Sequence, residues 1–155
     1  MVRSVRVISF SIFLLLGLST ASAQTNDLAG TWLTGNGDAR IRIAPCGANQ
    51  CGSIVWLRDP IDPATGRPQI DDKNQDASKR NRPIIGMQML EMRPQANGGW
   101  QGPIYNSDDG ATYQTTITLT SPTTLTVRGC VGLMCGDDRW TKVEEPQPQR
   151  QQRRR

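Results

Sequence analysis

The residues with the most specific chemistry are four cysteines in two equally spaced pairs, Cys46-x4-Cys51 and Cys130-x4-Cys135. An even count in pairs fits disulfides formed in an oxidising compartment. A zinc site of four thiolates usually sets its ligands closer, as C-x2-C, and thioredoxin-type redox pairs use that shorter spacing too. Three connectivities are open to four cysteines. We predict the local one, Cys46 with Cys51 and Cys130 with Cys135, because each pair could close a hairpin end. Each ring would add roughly 2 kcal/mol by the loop-entropy relation.

The chain contains no histidine. Ser-His-Asp and Cys-His nucleophile systems, and the helical His-based metalloprotease motif, are therefore ruled out. Acidic residues gather in a long polar stretch, with Asp59, Asp62, Asp71, Asp72, Asn74 and Asp76. Asp72-x-Asn74-x-Asp76 starts like a calcium loop, but Ala77 replaces the required glycine and Pro83 stands where the bidentate glutamate belongs. Asp108-Asp109 and Asp137-Asp138 are sequence neighbours beside glycines. Both read as hairpin turns rather than two carboxyls facing each other across a glycoside. Gly35-x-Gly37 lacks the third glycine and the following helix of a dinucleotide site. No enzyme activity, cofactor or metal is expected from these motifs. Apolar binding has better candidates. Met87, Met89, Met92 and Met134 supply adaptable side chains, and Trp56, Met87, Met89, Trp100 and Tyr113 are the residues expected to line a ligand cavity.

Charge separates the ends from the middle. Residues 24–143 carry twelve basic and twelve acidic side chains, while Arg3, Arg6, Arg150, Arg153, Arg154 and Arg155 lie outside them. The net charge of +4 therefore describes the two ends, and a nucleic-acid partner is not expected. Arg3 and Arg6 open a three-part secretory signal: an apolar run over 7–18 and a small-residue cleavage site at Ala21-Ser22-Ala23 follow them. That run is short for a span of ~20 residues, so residues 1–23 are predicted to be cleaved off, with a periplasmic or secreted product and no membrane span. Residues 144–155, rich in Gln, Pro and Arg, cannot enter a core and are expected to be disordered.

The elements between are strands. Ile41 and Ile43 alternate with Arg40 and Arg42, Tyr113, Ile117 and Leu119 with threonines, and Leu125 and Val127 with Thr124 and Thr126. That period of two, punctuated by Gly, Asn, Asp and Pro, signals strand and turn. Further strands are expected at Trp32, 53–58, 84–92, 100–105 and 139–143. Eight strands joined mostly by short hairpins predict an all-β domain over 24–143, a small antiparallel up-and-down β-barrel. The connection 59–82 is much longer than a hairpin turn. Connections of such length are usually functional or disordered.

An ordered series of segments resembles the exported bacterial family called domain of unknown function 2147. It comprises 39–47, Cys51 to Leu57, Asp59-Pro60, Thr65-Gly66-Arg67-Pro68, Asp71, Asn74, 82–86, Ile104-Tyr105, Asp109-Gly110, Tyr113, 125–129 and Trp140-Thr141. In that family an arginine commonly follows the last Trp-Thr, where this chain has Lys142. The resemblance implies an exported small β protein and brings no activity with it. Gly30-Thr31-Trp32 on the first strand, with Arg139 and Trp140 on the last, is also similar to the lipocalin arrangement. There a Gly-x-Trp start packs against an arginine and closes the barrel, which implies closure here by Gly30, Trp32, Arg139 and Trp140. Two functions follow as expectations. One is non-enzymatic binding of a small amphipathic or apolar ligand, or of a cell-envelope component, in the open end. The alternative is a filled interaction module of the envelope, contacting a partner through 59–82 and the basic tail.

Overall fold

A computed structural model describes residues 28–144. The expected leader and the Gln/Arg-rich tail beyond Glu144 lie outside the described residues. Eight strands form one closed antiparallel barrel in chain order: β1 Gly30–Leu33, β2 Ala39–Cys46, β3 Asn49–Leu57, β4 Gln88–Pro94, β5 Trp100–Asn106, β6 Ala111–Ser121, β7 Thr124–Val131 and β8 Met134–Val143. Closure comes from β1, which pairs with β2 through Trp32↔Ile41 and with β8 through Trp32↔Lys142.

Alternation decides which side chains enter. Ile41 and Ile43 of β2, Ile54 of β3, Leu90 and Met92 of β4, Ile104 of β5, Ile117 of β6, and Leu125 and Val127 of β7 meet in one buried cluster. Their polar neighbours stay on the outer face, as a sheet with one buried side requires. The β2–β3 register slips between Arg40 and Ile41, so Ile41 pairs with Ile54 while Arg40 pairs with Trp56. Such a bulge re-aims the residues beyond it. Trp56 thus shares the face of Arg40, whose guanidinium lies 4.6 Å from its ring centre.

The turns fall into two groups. Those at 46–49, 94–100 and 121–124 mark one end, here called the base; those at 33–39, 57–88, 106–111 and 131–134 mark the other, the mouth. The two disulfides, Cys46–Cys51 and Cys130–Cys135, tie hairpin tips at opposite ends.

Several sequence expectations change, the first being that β3 starts at Asn49 rather than at residue 53. The fourth strand starts at Gln88 rather than at residue 84, because Gly86 takes a φ of 93° and Met87 N–H donates to the Ile84 carbonyl at 3.1 Å. Ile84 and Met87 are buried all the same, as the end of the long connection folds onto the barrel. The last strand starts at Met134, not 139, and Asp137-Asp138 lies within it rather than in a turn. Arg128 on β7 bonds Asp137 at 3.0 Å across the pair, and Trp140 Nε1 donates to Asp138 at 2.6 Å. β8 meets β1 only from Thr141 onward, so its first part pairs with β7 alone. Met134 therefore stands at an exposed tip instead of helping to line a cavity.

Candidate functional site

At the base, Trp32 is fully buried and Trp140 nearly so. Trp32 Nε1 donates to the Leu28 carbonyl at 2.8 Å, which satisfies the indole inside an apolar plug. The cation over its ring is Lys142, with Nζ 5.3 Å from the centroid. A Cβ on Gly30 would fall 2.6 Å from Lys142 Cε, so the glycine clears the path for that side chain. This corrects the expected closure set. Arg139 is exposed and opposite Thr126, whereas Lys142 is the register partner of Trp32. Gly30 and Trp32 lie against Lys142, and Trp140 is buried in the same core as Trp32.

At the mouth a cavity of about 190 Å³ opens into the barrel. Ile41, Ile54, Leu57 and Met89 give it apolar walls; Thr34, Asn36, Asp38, Asp108 and Asp138 stand among its polar lining. The polar side is tied together. Arg58 Nη1 pairs with Asp38 at 2.8 Å and Nη2 donates to the Asn36 carbonyl at 2.7 Å. Asn36 Nδ2 donates to Asp38 at 2.6 Å. Asp138 accepts a hydrogen bond from the Trp140 indole N–H, which links this opening to the tryptophan plug.

The long connection is organised around Asp71, a residue with no solvent exposure. Tyr105 on β5 donates its hydroxyl to Asp71 Oδ1 at 2.5 Å; Asn74 Nδ2 and Arg82 Nε each donate to Oδ2 at 2.7 Å. Asn74 Nδ2 also lies 2.9 Å from the Tyr105 hydroxyl, and the Arg82 guanidinium lies 5.4 Å from the Tyr105 ring centre. Burial disfavours the Asp71 anion, but the bonds from Tyr105, Asn74 and Arg82 outweigh it and hold its pKa below the ordinary value. Tyr105 is pushed up, by burial first and then by its bond to Asp71. Gly110 completes the seam: with a φ of 72°, its Cβ position lies 1.9 Å from the Lys73 carbonyl oxygen, so only glycine lets the β5–β6 turn touch the connection.

The five residues expected to line a cavity do not converge. Met89 lines the mouth cavity. Met87 lies in the core, and Trp100, at the base end of β5, packs against it half-buried. Tyr113 donates its hydroxyl to Asp109 at 2.5 Å, and that bond leads the causes holding Asp109 below its usual pKa. Trp56 stacks under Arg40 on the outer face. The Asp72-x-Asn74-x-Asp76 run does not converge either: Asn74 bonds Asp71, and Asp76 bonds Ser78 and Lys79. Sequence reasoning gave no role to the Asp71–Asn74–Arg82–Tyr105 hub. Its members stood in the family-like series, the one signal that pointed to them.

No curated protein matches the chain. Among solved structures, protein HP1028 from the human pathogen Helicobacter pylori, described as belonging to the lipocalin family, aligns with a TM-score of 0.66 at 17% identity. The alignment covers 77% of this chain and 84% of that one, so the two share the fold. Residues 30–142, from the first glycine of β1 to the lysine over Trp32, match the family described as "Uncharacterized protein conserved in bacteria (DUF2147)", and the chain belongs to that family.

Proposed function

We propose that this is an exported, non-catalytic binding protein whose barrel mouth takes a small amphipathic ligand. The observation that carries the reading is the mouth cavity, with apolar walls formed by Ile41, Ile54, Leu57 and Met89 and polar groups from Asn36, Asp38 and Asp108. An apolar pocket with a few polar groups is the usual form of a small-molecule site. Its 190 Å³ lies below the roughly 300–1,000 Å³ of pockets that hold drug-sized ligands, so the ligand is short. Burying roughly 150 Å² of apolar surface contributes about 4 kcal/mol before binding costs, so a purely apolar contact binds no tighter than about millimolar and the polar groups must supply the rest. Two disulfides support an extracytoplasmic location.

The test is titration with short-chain amines, alcohols and acids of increasing length, followed by tryptophan emission. Trp140 bonds Asp138 of the cavity lining and should report occupancy. We expect saturable binding with a chain-length cutoff, abolished when Met89→Trp fills the cavity. Absence of saturable binding across the panel overturns the reading and favours a filled interaction module of the envelope. One observation already leans that way: Val131, Leu133 and Met134 at the β7–β8 tip are 60%, 102% and 78% exposed.

A further inference from the structure

The segment from Lys73 to Arg82 holds four basic side chains, Lys73, Lys79, Arg80 and Arg82, against one acidic side chain, Asp76. Its two arginines are fixed in the same way. Arg82 Nε donates to Asp71 Oδ2 at 2.7 Å, and Arg80 Nε donates to the Asn74 carbonyl at 2.7 Å. Asp71 and Asn74 are themselves buried and bonded to each other. One rigid pair thus anchors two guanidinium groups by their inner nitrogens. Among the described residues neither arginine's terminal nitrogens meet an acceptor.

Anchoring the connection does not require this. Tyr105 and Asn74 already bond both Asp71 oxygens, and any cation could balance the charge. What a guanidinium held at Nε adds is a forward-facing pair of N–H donors, spaced for two oxygens of a phosphate or carboxylate. Arg82 faces space in which to use them. A groove of about 610 Å³ on the outer side of β5 and β6 is lined by Arg82, Lys79, Asp76, Tyr105, Asn74 and Thr112. Lys79 pairs with Asp76 at 3.2 Å, both half-exposed, and such a pair is weak enough to exchange partners.

We propose that this groove is an oxyanion site for a phosphate group. The outer donors of Arg82 take two of its oxygens, Lys79 leaves Asp76 to take a third, and Arg80 supplies positive field beside them. Asp71 and Asn74 are positioning residues that hold the two arginines. The site lies on the outer side of the barrel; Tyr105 lines both it and the mouth cavity, whereas Arg82, Lys79, Asn74 and Thr112 line the groove alone. The same phosphate chemistry is offered by free inorganic phosphate and by an anionic lipid headgroup.

The test uses the full chain and two arms: calorimetric titration with inorganic phosphate, and sedimentation with phosphatidylglycerol vesicles against phosphatidylcholine vesicles. We expect saturable phosphate binding that weakens as salt rises. Arg82→Lys, which keeps the charge but loses the fork, should weaken it at least tenfold. Lys79→Gln and Arg80→Gln should weaken it several-fold, and neither touches Asp71, so both remain informative if Arg82→Lys fails to fold. Binding to phosphatidylglycerol alone, weakened by the same substitutions, assigns the phosphate to a lipid headgroup. Comparing variants with the full chain cancels any contribution of the arginine-rich tail. Absence of saturable binding in both arms, or binding that Lys79→Gln and Arg80→Gln leave unchanged, overturns the proposal.

Discussion

Base and mouth are finished with opposite materials. The base is closed by apolar volume: Leu28, Trp32 and Trp140 are buried, each indole has one acceptor, and a lysine lies over the Trp32 ring, beside a hollow of about 700 Å³ lined by Gly30, Ile43 and Lys142. The mouth keeps a cavity and is flanked by a long connection pinned through a buried carboxylate with three side-chain donors. Apolar packing is indifferent to pH and tolerant of partner detail, whereas a buried carboxylate is stable only when each oxygen has its bonds. The difference teaches where each end can fail. Loss of volume opens the base; one proton gained by Asp71, or one donor lost, loosens the mouth.

Three perturbations would break or sharpen that contrast. The largest effect should come from Trp32→Ala, which empties the plug and removes the ring beneath Lys142. A loss of about 3–5 kcal/mol is expected for a buried tryptophan, read as a reduced urea midpoint without a change of fold. A loss below about 1 kcal/mol would show that the barrel is not closed by this residue.

Next is Asp71→Asn, expected to cost roughly 1–3 kcal/mol because the charge and one of the two oxygens that accept from Tyr105, Asn74 and Arg82 are lost, and an NH2 faces their donors instead. Its pH dependence is more telling than its size. A carboxyl with a lowered folded pKa contributes stability above its unfolded value, and that contribution is lost as pH falls through the folded one. Wild type should therefore lose melting temperature below pH ~3.8, while the variant shows a shallower acid slope. Equal slopes in the two proteins would refute the hub's charge. Trp32→Ala should leave the slope unchanged.

The smallest effect is expected from Lys142→Met. It removes a cation 5.3 Å from the Trp32 ring but keeps the stem that Gly30 accommodates. A cost of about 0.5–1 kcal/mol fits an exposed cation–π contact, measured by thermal melts at low and high salt. A loss as large as that of Trp32→Ala would mean the lysine, rather than the indole, holds the base.

Much of the barrel was legible because strands with one buried face must alternate. Ile41 and Ile43, Ile117, and Leu125 and Val127 all announced their inward side. The start of β4 was hidden because Ile84 and Met87 are apolar for a different reason: they fold under the connection rather than pairing in the sheet. The first part of β8 carries no pattern, since 134–139 is exposed on both faces. The hub was illegible for a stronger reason. An aspartate in a polar stretch looks solvated, and its bond to Tyr105, 34 positions away, cannot be read from local sequence. Trp56 misled because a single bulge at Arg40 turned it outward.

The pairing of Thr31 with Val143 has a consequence for how the chain can be cut. A ring of hairpins whose first and last strands are neighbours has no privileged starting point. The sequence could be circularly permuted, with a short linker joining the ends of β1 and β8 at the base and new termini opened in the exposed part of 59–68. In such a permutant β3 and β4 would become the outermost segments of the sequence while remaining adjacent strands in space.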